Sequence, residues 1–166
     1  MSFQAEVRSS MGWRWSDGAT FDDRLEYVRQ WLEVETTGAE AAWLAEDQLL
    51  ATGQSILVDL TCLERNVLGD ILITSLSEVA TLLIVNHAAD GGRLYIGGSP
   101  IDPWDAPLDG GRLIVPPNGA VMLAGRTFAW PVDSSHRNLQ LAAAGGDVKY
   151  SIAVIGATPS SSSSGQ

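Results

Sequence analysis

Cysteine and lysine are almost missing from this 166-residue chain: one of each is present, Cys62 and Lys149. A single cysteine excludes an internal disulfide and any multi-cysteine zinc site. With one lysine among ten basic residues, the arginines are scattered from Arg8 to Arg137 without a run. Asp plus Glu total 20, so the net charge is −10. A clustered cationic footprint for phosphate is therefore absent, and no nucleic-acid partner is expected. Long hydrophobic runs are missing too. The longest, around Val79 to Val85, falls far short of the ~20 residues that span a bilayer. Met1 to Glu6 has neither a basic nor an apolar signal-like region. The expectation is a soluble chain made in a cytoplasm, with no membrane partner.

Charge of either sign is scarce. Charged residues make up 18% of the chain, against ~25% in a typical globular domain. Hydrophobic residues make up 45%. A chain of this length buries roughly 70% of its unfolded surface without a staple. The low charge suggests that part of its outside meets a partner.

What is present is alternation of period two. Val148, Tyr150, Ile152 and Val154 alternate with Asp147, Lys149, Ser151 and Ala153, which predicts a half-buried strand. Ile56, Val58 and Leu60 alternate with Ser55, Leu57 and Asp59 in the same way. Ala80 to Val85 is continuously apolar and reads as a strand covered on both faces. Arg93–Ile96, Arg112–Val115 and Ala120–Leu123 are further short strands. Turn residues separate them about every ten positions. Pro116 to Gly119 and Gly145-Gly146 read as hairpin loops, with Gly119, Gly145 and Gly146 expected at positive φ. The pattern predicts an all-β fold, an antiparallel β-sandwich of jelly-roll type, over residues 41–157. Residues 1–40 read as N-terminal strands or an arm. Glu6 to Trp15 has β-formers. Asp22 to Thr36 fits a helical stripe or a strand, and strand is favoured by its β-branched and aromatic content. Ala39 to Ala45 has helix formers and reads as a short helix or an irregular strand. Residues 158–166 read as a flexible serine-rich tail.

Chemistry-bearing patterns are sparse. No nucleophile elbow occurs, and neither phosphate-binding glycine motif is present. Ser99 sits in a turn context. Cys62 with His87 or His136 could form a nucleophilic pair, but Leu60-Thr61-Cys62-Leu63 reads better as a buried structural cysteine. The two histidines fit no local ligand spacing. Asp90, Asp102, Asp105 and Asp109 are loop carboxylates that could hold Ca²⁺, yet loop aspartates more commonly form turns. No catalytic, cofactor or metal residue is assigned, and the chain is not expected to be an enzyme.

Six tryptophans stand out. Each sits beside charged, small or proline residues, either packing over the ends of a sandwich or anchoring an interface. Trp13, Trp15, Trp31, Trp104 and Trp130 are the candidate interface residues, and Trp104 and Trp130 could alternatively be carbohydrate-stacking platforms. Trp13, Trp15 and Trp31 mix with Arg14, Arg24 and Arg29, which is interface-like composition.

From Ile84 onward the order of motifs resembles a known group. Ile84-Val85-Asn86, Leu94-Tyr95-Ile96-Gly97-Gly98 and Val115-Pro116-Pro117-Asn118-Gly119 begin it. Trp130-Pro131-Val132, Leu139-Gln140-Leu141 and Gly145 through Gly156 close it. The chain resembles small structural virion proteins of tailed bacteriophages, of the decoration or cement type. The resemblance implies a β-sandwich located in the virion and assembled in the host cytoplasm. Its implied partners are the major capsid protein or other virion proteins, and its implied state is a homo-oligomer. A neck, tail or fibre-attachment protein and a carbohydrate- or receptor-binding module remain alternatives. The Asp102-Pro103-Trp104-Asp105 loop and the Asp22-to-Glu40 stretch depart from the pattern.

Overall fold

The structure is a computed structural model that describes residues 6–15, 25–35, 40–67, 70–125 and 129–159. Its strands in chain order are β1 (Glu6–Trp15), β2 (Leu25–Glu35), β3 (Ala41–Leu50), β4 (Ser55–Asp59), β5 (Leu63–Val67), β6 (Asp70–Thr74) and β7 (Glu78–Asn86). They continue with β8 (Arg93–Ile96), β9 (Leu113–Val115), β10 (Ala120–Ala124), β11 (Trp130–Pro131), β12 (Asn138–Ala144) and β13 (Val148–Ala157). No described helix is long and apolar enough to cross a membrane.

Two antiparallel sheets carry the fold. Sheet I has the order β10-β7-β13-β3, with β11 adding to β7. Sheet II has the order β4-β12-β8-β9. The pairs nest, first with last: β3 with β13, β4 with β12, β7 with β10, β8 with β9. Eight strands nested this way across two packed sheets form a jelly roll. The expected all-β sandwich is what the chain builds. Its core lies between the sheets, where Leu82, Ile84, Val148, Tyr150, Ile152 and Val154 meet Leu94, Ile96, Leu139 and Leu141. Every second residue of β13 is buried, as its alternation requires. Burial pushes the Tyr150 phenol above its usual pKa.

The local expectations divide. Of the two readings of Ala39 to Ala45 the irregular strand holds over its described residues, because Ala41–Leu50 pairs along β13 with a register shift. The favoured strand within Asp22 to Thr36 is β2, which pairs with β1. Pro116 to Gly119 and Gly145-Gly146 are not hairpin loops within a sheet. Each crosses from one sheet to the other: β9 and β12 lie in sheet II, and β10 and β13 lie in sheet I. Alternation looks the same whether the next strand lies beside or opposite. At the first turn the positive φ falls on Asn118, at 54°, not on Gly119. Gly119 is small for another reason: a Cβ there would lie 2.8 Å from the Pro116 carbonyl oxygen. Cys62 is exposed rather than buried. It ends a tight turn, where its N–H donates to the Asp59 carbonyl at 3.0 Å.

Antiparallel alternation sorts the connections onto two ends. One end has short crossings at 51–54, 87–92, 116–119 and 145–147. There Gly91 and Gly145 stack backbone on backbone. A Cβ on Gly145 (φ 76°) would lie 2.8 Å from the Gly91 oxygen. Asp147 Oδ1 accepts from the Thr52 N–H at 2.8 Å and from its hydroxyl at 3.1 Å. Those two donors hold the Asp147 carboxyl below its usual range. The opposite end carries the long segments 60–77, with the β5–β6 hairpin, 97–112 and 125–137.

Candidate functional site

The long-loop end is built around Trp104. Its indole is 1% exposed and meets Trp130 edge-on, with ring centroids 6.4 Å apart at 86°. Its Nε1–H donates to the Pro131 carbonyl at 3.1 Å. Trp104 is therefore a core anchor of the loop, with no ring face left for a partner or a sugar. Trp130 is half-buried against the same core. Trp13 and Trp15 lie on β1 opposite Tyr27 and Leu25, and Trp31 falls where the β1–β2 register shifts. The side chains of Trp13, Trp15 and Trp31 lie outside the described residues.

Of the loop carboxylates, that of Asp102 has a structural partner. Asp102 (φ 42°) receives Arg137, with 3.3 Å between Nη2 and Oδ2. Arg137 also reaches Asp59 at 3.5 Å. The Asp102 carbonyl accepts the N–H groups of Arg137 and Asn138 at 3.0 and 2.9 Å. Asp109 takes the left-handed position after the single-turn 3-10 helix Ala106–Leu108. Among the described residues, no three His, Cys, Asp or Glu side chains gather where they could hold a metal. His87 bonds Ser151 Oγ at 2.9 Å. His136 lies over Asp133 at 3.1 Å, within a turn that Asp133 organises through Ser135 and His136. Ser135, through its hydroxyl and its N–H, and then His136 draw the Asp133 carboxyl down to about 2. Ser99 bonds Ile101, two residues on.

What stands out is the outer face of sheet I. Directly paired residues share a face, so register defines rows across the sheet. Met122, Leu83, Ala153 and Leu44 form one row spanning all four strands. Ala124, Thr81, Ile155 and Ala42 form the next. Ala120, Val85 and Ser151 form the one beyond Leu83 on the other side. None of these rows contains a charge. Leu83 is 36% and Leu44 41% exposed. An open groove of about 260 Å³ runs over Leu44, Leu83, Val85 and Ala153 toward His87 and Ser151. Charge enters at one end of the groove, where Glu46 lines it beside Ser151, and continues past the margin, where Lys149 pairs with Asp47 at 2.9 Å.

This face revises the reading of Ala80 to Val85. The run looked like a strand covered on both faces. Its inner residues Leu82 and Ile84 are buried; on the other side Thr81 is buried and Val85 half-buried, and Leu83 alone of the run is open to solvent. At Leu83 this strand has more hydrophobic surface than the described residues cover. The apolar run in the sequence carries the signal for this face, and it is the same signal that internal packing gives.

No family model matches the chain, and no curated protein or solved structure matches it.

Proposed function

We propose that this protein is a non-enzymatic structural component of a tailed-phage virion. In this reading it decorates or cements the capsid surface as a small symmetric oligomer. The observation that carries the reading is the apolar outer face of sheet I around Leu83 and Leu44, with Glu46 at one end of its groove. Monomeric proteins rarely leave a contiguous apolar sheet face uncovered, and such faces mark sites where another protein packs. The motif order from Ile84 to Gly156 supplies the virion context. A net charge of −10 suits a chain that stays clear of packaged nucleic acid and meets protein instead. The short-turn end keeps the scaffold rigid, so the apolar face is presented on strands rather than on loops.

A quantitative mass-spectrometric inventory of purified particles tests this reading. Hundreds of copies per particle are the expected result. About a dozen copies would move the protein to the neck or tail. Absence from particles would overturn the reading.

A further inference from the structure

Among the described residues, β6 of the β5–β6 hairpin has one unpaired edge and an exposed apolar run. Its base is fixed to the core by Leu63, 2% exposed, and Leu76, 1% exposed. Trp43 of β3 braces it by donating from Nε1 to the Glu64 carbonyl at 2.9 Å. Beyond that base, β6 presents Ile71, Leu72 and Ile73 at 63%, 55% and 62% exposure. Consecutive strand residues point to opposite faces, so both faces of β6 are bare. One edge of β6 pairs with β5, and the other pairs with no described strand. A lone two-stranded hairpin is marginal in water. Sheet edges that must stay single are normally guarded by charge, proline or a bulge. β6 has none of these between Ile71 and Thr74.

We infer that β6 is a self-association seam, and that its occupant is β6 of a second copy. The sequence of the strand, Asp70-Ile71-Leu72-Ile73-Thr74, is nearly palindromic. Antiparallel pairing about a two-fold axis at Leu72 sets Leu72 against its own copy and Ile71 against Ile73. Asp70 then falls opposite Thr74, so no like charges meet in an otherwise acidic chain. The product is a four-stranded sheet, β5-β6-β6-β5, whose exposed apolar residues gain neighbours. A seam this short belongs to the weak, concentration-dependent class. β4, with Ser55-Ile56-Leu57-Val58-Asp59, offers a similar symmetric pattern, but Val58 on its inner side already packs against the core. β4 thus has a covered face without a partner, whereas β6 has none.

The inference rests on the oligomeric part of the proposed function. Sedimentation equilibrium over a concentration series tests it on the full chain. Wild type should rise from 17.7 kDa toward twice that mass. Leu72→Asp and Leu72→Lys should each weaken the dimer at least about tenfold, since each places like charges across the axis and removes a leucine pair. Mixing the two variants should restore the dimer, because position 72 faces itself only in this symmetric register. Leu57→Asp should leave the dimer intact. Variants that stay monomeric when mixed, or that dimerise as wild type does, overturn the seam. Loss of the dimer in Leu57→Asp but not in Leu72→Asp overturns it in favour of β4. A wild-type monomer that still binds particles overturns the seam and leaves the virion reading standing.

Discussion

The two faces of sheet I are similar in side-chain chemistry and opposite in fate. The inner face, with Leu82, Ile84, Val148, Ile152 and Val154, lies sealed against sheet II. The outer face is also mostly apolar, with Leu44 and Leu83 exposed, Ala153 and Met122 half-buried and Glu46 at one end of its groove. Folding accounts for the first, because burying those side chains drives the two sheets together. Folding does not account for the second. Under the proposed function the difference separates two demands on one strand: β7 carries alternate residues for its own core and for a partner.

The largest expected effect breaks the two faces apart directly. Ile84→Ala, at 0% exposure, should cost about 2–5 kcal/mol in chemical denaturation. Leu83→Ala, its neighbour, should cost less than about 1 kcal/mol. Equal costs would mean that the outer face is already packed within the chain.

A second pair concerns the rigid frame that presents the face. Gly145→Ala combines a left-handed φ of 76° with a Cβ contact at 2.8 Å, and should cost more than about 2 kcal/mol. Gly53→Ala has a similar φ of 79° but open space around it, and should cost about 1 kcal/mol. Matching melting shifts would show that the crossing turns at 87–92 and 145–147 do not interlock.

The smallest effect belongs to the opposite end. The Asp133 carboxyl is held at about 2, below its ordinary 3.8. Its folded pKa is depressed, so its contribution is complete above pH 3.8 and is lost as pH falls through about 2. Melting temperature measured down this window should fall slightly less for Asp133→Asn than for wild type. An identical fall in both would remove the turn around Ser135 and His136 as a source of acid sensitivity.

Much of the jelly roll was legible. The alternation in Val148–Ile155 and the turn residues near every tenth position follow from local geometry, and local geometry is what a sequence displays. The central placing of β7 and β13 follows from their apolar content. Three features were hidden because they depend on residues far apart. Gly145-Gly146 shows a turn but not the sheet to which the chain goes next. Trp104 sits among Asp102, Pro103 and Asp105, so its neighbours suggest exposure. Its burial is settled by Pro131 and Trp130, more than twenty residues away. Cys62 lies in an apolar run, yet the Asp59–Cys62 turn leaves it exposed. The candidate face was half legible: β7 announced two apolar sides, and only the strand order revealed that sheet II covers one of them.

The central claim is that the outer face of sheet I is a docking surface for a virion partner. Co-sedimentation of purified wild-type and Leu83→Lys chains with phage heads lacking this protein tests it most directly. The account predicts that wild type pellets with the heads, while Leu83→Lys, with a melting curve within about 0.5 kcal/mol of wild type, stays in the supernatant. Equal binding of the two chains would contradict it.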